Sequence, residues 1–283
     1  MSKEYLFKDK DWLIEQINLY GTVKSICKNT GNAPTSIRRY IDKFNLKHML
    51  KPIDPSESNK IHSINKDYFE VINTEHKAYW LGFLMADGNV YDAGNKYCVR
   101  MTLKNEDIYI LEKFKEDLGT DVEVKIDKYE RGTLRVFSKK MFYDLQLHGI
   151  IPNKTGKESI PSTVPDDLIH HFVRGFFDGD GTIYTRSNRT RHKCTIGWCC
   201  SNYDFMVQLN ELLNKYCGFS LTIHLHGNCY EAKTESYEYC KRFVEFIYKD
   251  ATIGLIRKYN RAHEYLDFTC TTLEQSNAAN KVN

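Results

Sequence analysis

The stretch that decides the fold is Trp80-Leu81-Gly82-Phe83-Leu84-Met85-Ala86-Asp87-Gly88. Its counterpart is Val173-Arg174-Gly175-Phe176-Phe177-Asp178-Gly179-Asp180-Gly181. Each is an apolar run with small residues four apart, closed by Asp-Gly; the small residues are Gly82 and Ala86 in one, Gly175 and Gly179 in the other. Residues four apart share one helix face, so such pairs let two backbones approach closely. Glycine inside a helix costs about 1 kcal/mol against alanine, and its presence implies a packing reason. Gly88 and Gly181 are expected in the left-handed position that ends a helix. Asp87 and Asp180 then fall in the last helical turn, where the dipole disfavours negative charge, and pairing the helices adds carboxylate repulsion. A bound divalent cation would offset both penalties, and Mg²⁺ suits carboxylates and phosphates.

The two stretches resemble the LAGLIDADG motif of homing endonucleases, in the single-chain, two-motif form. Two unrelated apolar helices ending at Asp-Gly turns would account for either alone, but not for their matching flanks. The motif aspartates lie 93 residues apart, about one repeat. The resemblance spans residues 68–268. It implies two saddle-shaped halves joined along the motif helices and forming one DNA groove.

Bulk properties narrow the class without deciding it. Forty basic against 37 acidic residues leave a net charge of +3, so nucleic-acid binding must rest on local stripes of charge. No apolar run is long enough to span a bilayer, and Met1-Ser2-Lys3-Glu4-Tyr5 does not open a signal peptide. The expectation is a chain that is not secreted and works in the cytoplasm, or wherever its target DNA resides. Nine cysteines without a C-x-x-C pair read as free thiols in a reducing compartment and argue against structural zinc.

Residues 1–50 carry nine basic and five acidic side chains. Apolar spacing predicts three short helices: one around Trp12, Leu13, Ile17 and Leu19, one over 22–30, and one from Pro34 with Ile37, Tyr40, Ile41 and Phe44 inward. The pattern resembles a helix-turn-helix, with Arg38 and Arg39 on the exposed part of its last helix as candidate DNA contacts. A docking module with a solvated face is the plainer alternative. Residues 51–66, polar with two prolines, read as a linker. The first repeat is placed at 67–160, the second at 161–268, and a disordered polar tail at 269–283.

Within each repeat the pattern reads helix, two strands, helix, two strands, helix. The fold class is therefore α+β: two pseudo-symmetric αββαββα repeats joined along their motif helices, preceded by a small all-α helix-turn-helix-like domain. Expected elements in the first repeat include a motif helix over 75–87 and strands at 89–91, 97–103, 122–126 and 133–137. In the second, a motif helix covers 166–180, strands fall at 182–186, 194–200, 220–225 and 229–232, and the last helices span 239–248 and 251–266.

Phosphodiester hydrolysis needs a water nucleophile, neutralised phosphate charge and help for the leaving oxygen, all of which carboxylate-held metal ions supply. Asp87 and Asp180 are the candidate ligands for Mg²⁺ or Mn²⁺, with the main-chain carbonyls of Ala86 and Gly179 as helpers. Asp178 has Met85 as its counterpart and is not taken as a ligand. Each repeat closes on a similar piece, 139–155 and 241–258, which sets Lys154 opposite Lys258. The resemblance implies a basic residue beside each centre that polarises water or stabilises the transition-state phosphate. Lys154 and Lys258 are the candidates, with Lys157 the other choice in the first repeat; contact with phosphate or solvent alone is the plainer alternative.

Alternate side chains of the strands would face DNA. The candidates are Arg100, Lys125 and Arg135 in the first half, and Arg186, Arg189, Arg191 and Lys193 in the second. Arginine suits guanine edges and phosphates. The resemblance implies a metal-dependent, site-specific endonuclease that makes a staggered cut in a long asymmetric site of double-stranded DNA. It would act as a monomer away from membranes, in the mobility of its own coding element. The alternative is a non-cleaving protein on the same fold, an RNA maturase or a transcription regulator; retention of both motif aspartates favours the nuclease.

Overall fold

Three short helices form the first of two compact units, Met1–Ile61. They are α1 (Lys10–Tyr20), α2 (Val23–Thr30) and α3 (Pro34–Lys43). Asp9 caps α1 by accepting from the Trp12 amide, and Thr22 caps α2 by accepting from Ser25. Gly31 ends α2 in the left-handed conformation, and Pro34 starts α3 where its missing N–H costs nothing. Leu13, Ile17, Ile26, Ile37 and Ile41 make the core, whereas Leu19 is 66% exposed. Arg38 and Arg39 lie on the exposed side of α3.

The computed structural model describes residues 6–51, 62–92, 94, 96–188, 191–266, 270 and 272–274, with backbone only at 187, 188, 191 and 192. Most of the expected linker and most of the expected tail lie outside these residues. Cys270 and Leu273 do not fit a disordered tail: both are buried against the second unit's core.

The second unit, His62–Asn283, holds the two repeats. The first runs α4 (Glu75–Ala86), β1 (Gly88–Asp92), β2 (Tyr97–Leu103), α5 (Ile108–Asp117), β3 (Lys125–Ile126), β4 (Gly132–Phe137) and α6 (Lys139–Leu147). The order returns as α7 (Ile169–Asp180), β5 (Gly181–Asn188), β6 (Arg191–Cys200), α8 (Tyr203–Cys217), β7 (His224–His226), β8 (Cys229–Thr234) and α9 (Tyr237–Tyr248), with α10 (Ile256–Tyr265) after it. Each repeat makes an antiparallel four-stranded sheet, ordered β1-β2-β4-β3 and β5-β6-β8-β7. Strand β3 keeps only two residues of the expected five, and β7 begins four residues later than expected.

The motif helices α4 and α7 pack against each other at the centre of this unit. Nine of the twelve residues of α4 are buried, as expected of a helix apolar on all sides. The contact is reciprocal. A methyl group on Gly82 would collide with the Phe172 carbonyl and the Phe176 amide, and one on Gly175 with the Tyr79 carbonyl and the Phe83 amide. Phe172 and Phe176 stand 93 residues after Tyr79 and Phe83, the same offset as between the glycines. The crossing is therefore a pseudo-twofold in which each helix offers its glycine to the other's backbone.

Gly88 and Gly181 are not left-handed as expected. Gly181 is extended (φ −74°, ψ 152°), and each glycine starts a strand. The reason for glycine is steric: a Cβ on Gly88 would come within 2.6 Å of the Leu84 side chain and carbonyl, and one on Gly181 would strike Phe177. The turn from helix to strand is too tight for a side chain.

Candidate functional site

The helix crossing brings the two motif aspartates together. Asp180 is the last residue of α7 and Asp87 the cap of α4. The Asp87 carboxylate lies 3.5 Å from where a Gly179 Cβ would stand, and that Cβ would overlap Ala86. Both carboxylates reach water, yet protein crowds them. Burial pushes Asp180 up to about 6, the Asp87 charge adding to the rise and Lys154 and Lys258 opposing it. Burial also raises Asp87, against the pull of Lys258 and Lys154. Two carboxylates share one electrostatic neighbourhood, and each is more stable with a proton or cation near it.

Lys154 and Lys258 attach to matching helix ends. Lys154 Nζ donates to the Ala86 carbonyl at 2.7 Å, and Lys258 Nζ donates to the Phe177 and Gly181 carbonyls. Lys154 thus satisfies a carbonyl that the helix end leaves open, Lys258 adds a second donor to a Phe177 carbonyl already bonded to the Gly181 amide, and each places a cation at the negative pole of the dipole. Their settings differ. Lys154 is half-buried, while Lys258 is 4% exposed and held to about 8, mainly by burial. Burial lowers Lys154 as well, with Asp180, Glu158 and Asp87 holding its proton on. Glu158, buried at 9%, is a further acidic neighbour; it sits in a loop with no periodic pattern, which left it invisible to sequence reading.

Asp178 bears on this cluster through Lys258, whose proton its charge helps to hold. Its Oδ2 accepts from Tyr79 Oη at 2.9 Å and from the Leu255 amide at 2.8 Å, tying α4 to the segment before α10. Glu75 makes a second tie, accepting from the Thr252 and Ile253 amides and pairing at 2.7 Å with Arg174. Arg174 is completely buried and also donates to the Ile253 and Ile247 carbonyls at 2.8 and 2.7 Å. These bonds hold residues 252–255 in non-helical form, so the helix expected from Ala251 starts only at Ile256.

Strand register sorts the candidate DNA contacts. On the first sheet Asn89, Arg100 and Arg135 form one cross-strand row, and Thr102, Thr133 and Lys125 form the next. Val99, Met101, Leu134 and Val136 alternate with them and are buried, so the rows are on the open face. No described residue forms an ion pair with Arg100, Arg135 or Lys125. On the second sheet Arg186 stands opposite Lys193, and Thr182, Gly197 and Lys233 form a row. Here Lys193 pairs with Glu235 at 2.6 Å and Lys233 with Glu231 at 2.9 Å. Arg189 and the Arg191 side chain lie outside the described residues.

The donors at the helix tips are hard oxygens, two carboxylates plus main-chain carbonyls. That set suits Mg²⁺ or Mn²⁺, which keep several waters and need only one or two carboxylates. Among the described residues no group of three or more histidine, cysteine or acidic side chains makes a metal cage. No described helix is long and apolar enough to cross a membrane.

Residues 167–248 match the family model of the LAGLIDADG-like domain. Among solved structures, the LAGLIDADG meganuclease I-CpaMI bound to uncleaved DNA aligns with a TM-score of 0.50 at 12% identity, over 74% of this chain and 96% of that one. The meganuclease I-SmaMI bound to uncleaveable DNA aligns at 0.49 and 16% identity, over 72% and 97%. At 12% identity the likeness to I-CpaMI is one of fold. Comparison with curated proteins returns no match.

Proposed function

We propose that this chain, which has the LAGLIDADG fold, is a site-specific endonuclease that hydrolyses both strands of a long, asymmetric DNA site with divalent metal ions. The observation that supports this best is the meeting of Asp87 and Asp180 at the tips of the paired helices, each raised by burial and flanked by lysines. Asp87 and Asp180 would hold Mg²⁺ or Mn²⁺, with the Gly179 and Ala86 carbonyls beside them. Bound there, such ions supply phosphate neutralisation and a more acidic water. Lys154, half-buried and hydrogen-bonded to a single carbonyl, is the better placed lysine to meet phosphate oxygens. Lys258, buried and bonded to two carbonyls, holds the α7 tip in position.

Arg100, Arg135 and Lys125 would contact one half-site, and Arg186 and Lys193 the other. Two unequal halves in one chain would read an asymmetric site without a partner subunit. Arg38 and Arg39 would add contacts from the N-terminal unit.

The test is selection of a cleavage site from a randomised DNA library with Mg²⁺, followed by Asp87→Asn and Asp180→Asn. We expect either substitution to lower double-strand cutting by at least about 100-fold while DNA affinity changes only a few fold, since neutralising a carboxylate removes a metal ligand and not a phosphate contact. Cutting retained by both variants refutes the reading. DNA binding without metal-dependent cutting of any library member turns it into a non-cleaving regulator or maturase.

A further inference from the structure

Nine cysteines are spread through the sequence, and in the structure two of them meet on an exposed surface. Cys199 on β6 and Cys229 at the start of β8 have their sulfurs 2.7 Å apart. Cys199 is exposed and Cys229 half-buried. Register explains the meeting. Cys199 lies opposite Glu231, and Cys229, two residues earlier on the same strand, shares that face, so the thiols are diagonal cross-strand neighbours. Cys200, next in sequence, points to the other face, toward Glu158 and the Asn202 amide. Cys98, Cys194, Cys217, Cys240 and Cys270 are buried, and Cys27 belongs to the other unit.

We propose that Cys199 and Cys229 are a thiol–disulfide site, oxidised by small disulfides such as oxidised glutathione, which clamps the β7–β8 hairpin to β6. The chemistry balances in two exchanges. One cysteine thiolate attacks the small disulfide, forming a mixed disulfide and releasing one glutathione thiolate. The second cysteine then attacks the protein sulfur of that mixed disulfide, releasing the second glutathione. The protein loses two hydrogen atoms, and one oxidised glutathione becomes two reduced ones.

The hairpin has reason to need a clamp. Strand β7 is three residues long with all three exposed, and it joins β8 through the two-residue turn Gly227-Asn228. The β6–β8 ladder ends at Cys200 with Tyr230, one residue short of Cys229, so the new bond fixes the hairpin just beyond the last paired residue. The contact with Cys229 and burial hold the Cys199 thiol up at about 11, so the exchange should speed up as pH rises from 7 to 9.

The experiment treats the full chain with oxidised glutathione, alkylates the remaining thiols and maps peptides by mass spectrometry. We expect a single Cys199–Cys229 cross-link with a mass loss of about 2 Da, reversed by dithiothreitol, and slower hydrogen exchange in residues 224–230 of the oxidised form. Cys199→Ser should leave a glutathione adduct on Cys229 that cannot resolve. A persistent adduct on the unaltered chain, or a bridge that uses Cys200, overturns the proposal. Because no step involves DNA, the result stands apart from the nuclease reading.

Discussion

The two repeats agree where their backbones touch and disagree where their charges do. Gly82 and Gly175 are interchangeable in the crossing, each meeting the residue pair 93 positions from its own neighbours. The polar struts obey no such rule: Glu75 corresponds to Leu168, Arg174 to Leu81 and Asp178 to Met85. The open sheet faces differ in the same sense: Arg100, Arg135 and Lys125 on the first have no ion-pair partner among the described residues, whereas Lys193 and Lys233 on the second are paired with carboxylates. Close backbone approach tolerates only glycine, so it holds both halves to one solution. A buried charge needs just one complete set of partners, and one half can hold the acid while the other holds the base.

Breaking the symmetric part should cost most. Gly175→Ala drives a methyl into the Tyr79 carbonyl, and because that neighbour is backbone it has nowhere to go. We expect a loss of about 3 kcal/mol or more in urea unfolding, with Gly82→Ala close to it. Equal losses would sharpen the pseudo-twofold; a tolerated alanine in either helix would break it.

The asymmetric strut should come next. Arg174→Met leaves the Glu75 carboxylate, its side chain still 17% exposed, without its cation, at a cost of about 3 kcal/mol. Adding Glu75→Gln should restore part of that loss, and a double-mutant cycle measures the coupling. The reverse substitution at the matching position, Leu81→Arg, has no acid waiting for it and should only destabilise.

On the sheet faces the effects are smaller and concern DNA. Arg100→Ala or Arg135→Ala should weaken binding by about 1–3 kcal/mol and flatten its salt dependence. Lys193→Ala should cost less than about 1 kcal/mol, since Glu235 already neutralises that lysine. Equal losses in the two halves would remove the contrast between them.

The smallest effect is on stability against pH. The Asp180 pKa, raised to about 6, lies above its unfolded value, so its contribution is full in acid and is lost as pH rises through about 6. In metal-free buffer Asp180→Asn should melt about 2 °C above the unaltered chain at pH 8, and the gap should close by pH 4. A gap that widens in acid contradicts the assigned direction.

Local and repeating features were legible in the sequence. The motif helices follow from small residues four apart and the paired strands from alternation. Lys154 and Lys258 follow from two similar closing pieces, and both attach to the helix ends beside the aspartates. The struts were not legible, since Glu75 and Thr252 are 177 residues apart and no periodic pattern links them. The same bonds account for the late start of α10: a helix was expected from Ala251, but carboxylates of both motif helices take the amides of 252, 253 and 255. Asp178 was set aside as a ligand because its counterpart is Met85, and its role as a tie to Leu255 needed coordinates. Gly88 and Gly181 carried the right residue for a different reason, since the tight helix-to-strand turn asks for absence of a side chain and not for a left-handed backbone.

The Glu75 tie also sets a timetable for biosynthesis. The first repeat leaves the ribosome with this carboxylate lacking both its cation, Arg174, and the amides of Thr252 and Ile253. The central helix pair therefore cannot complete its polar network until nearly the whole chain has emerged. A truncated translation product ending before residue 174 would lack the cation as well as the amides and keep an uncompensated acid on its central helix, which marks it for unfolding and removal.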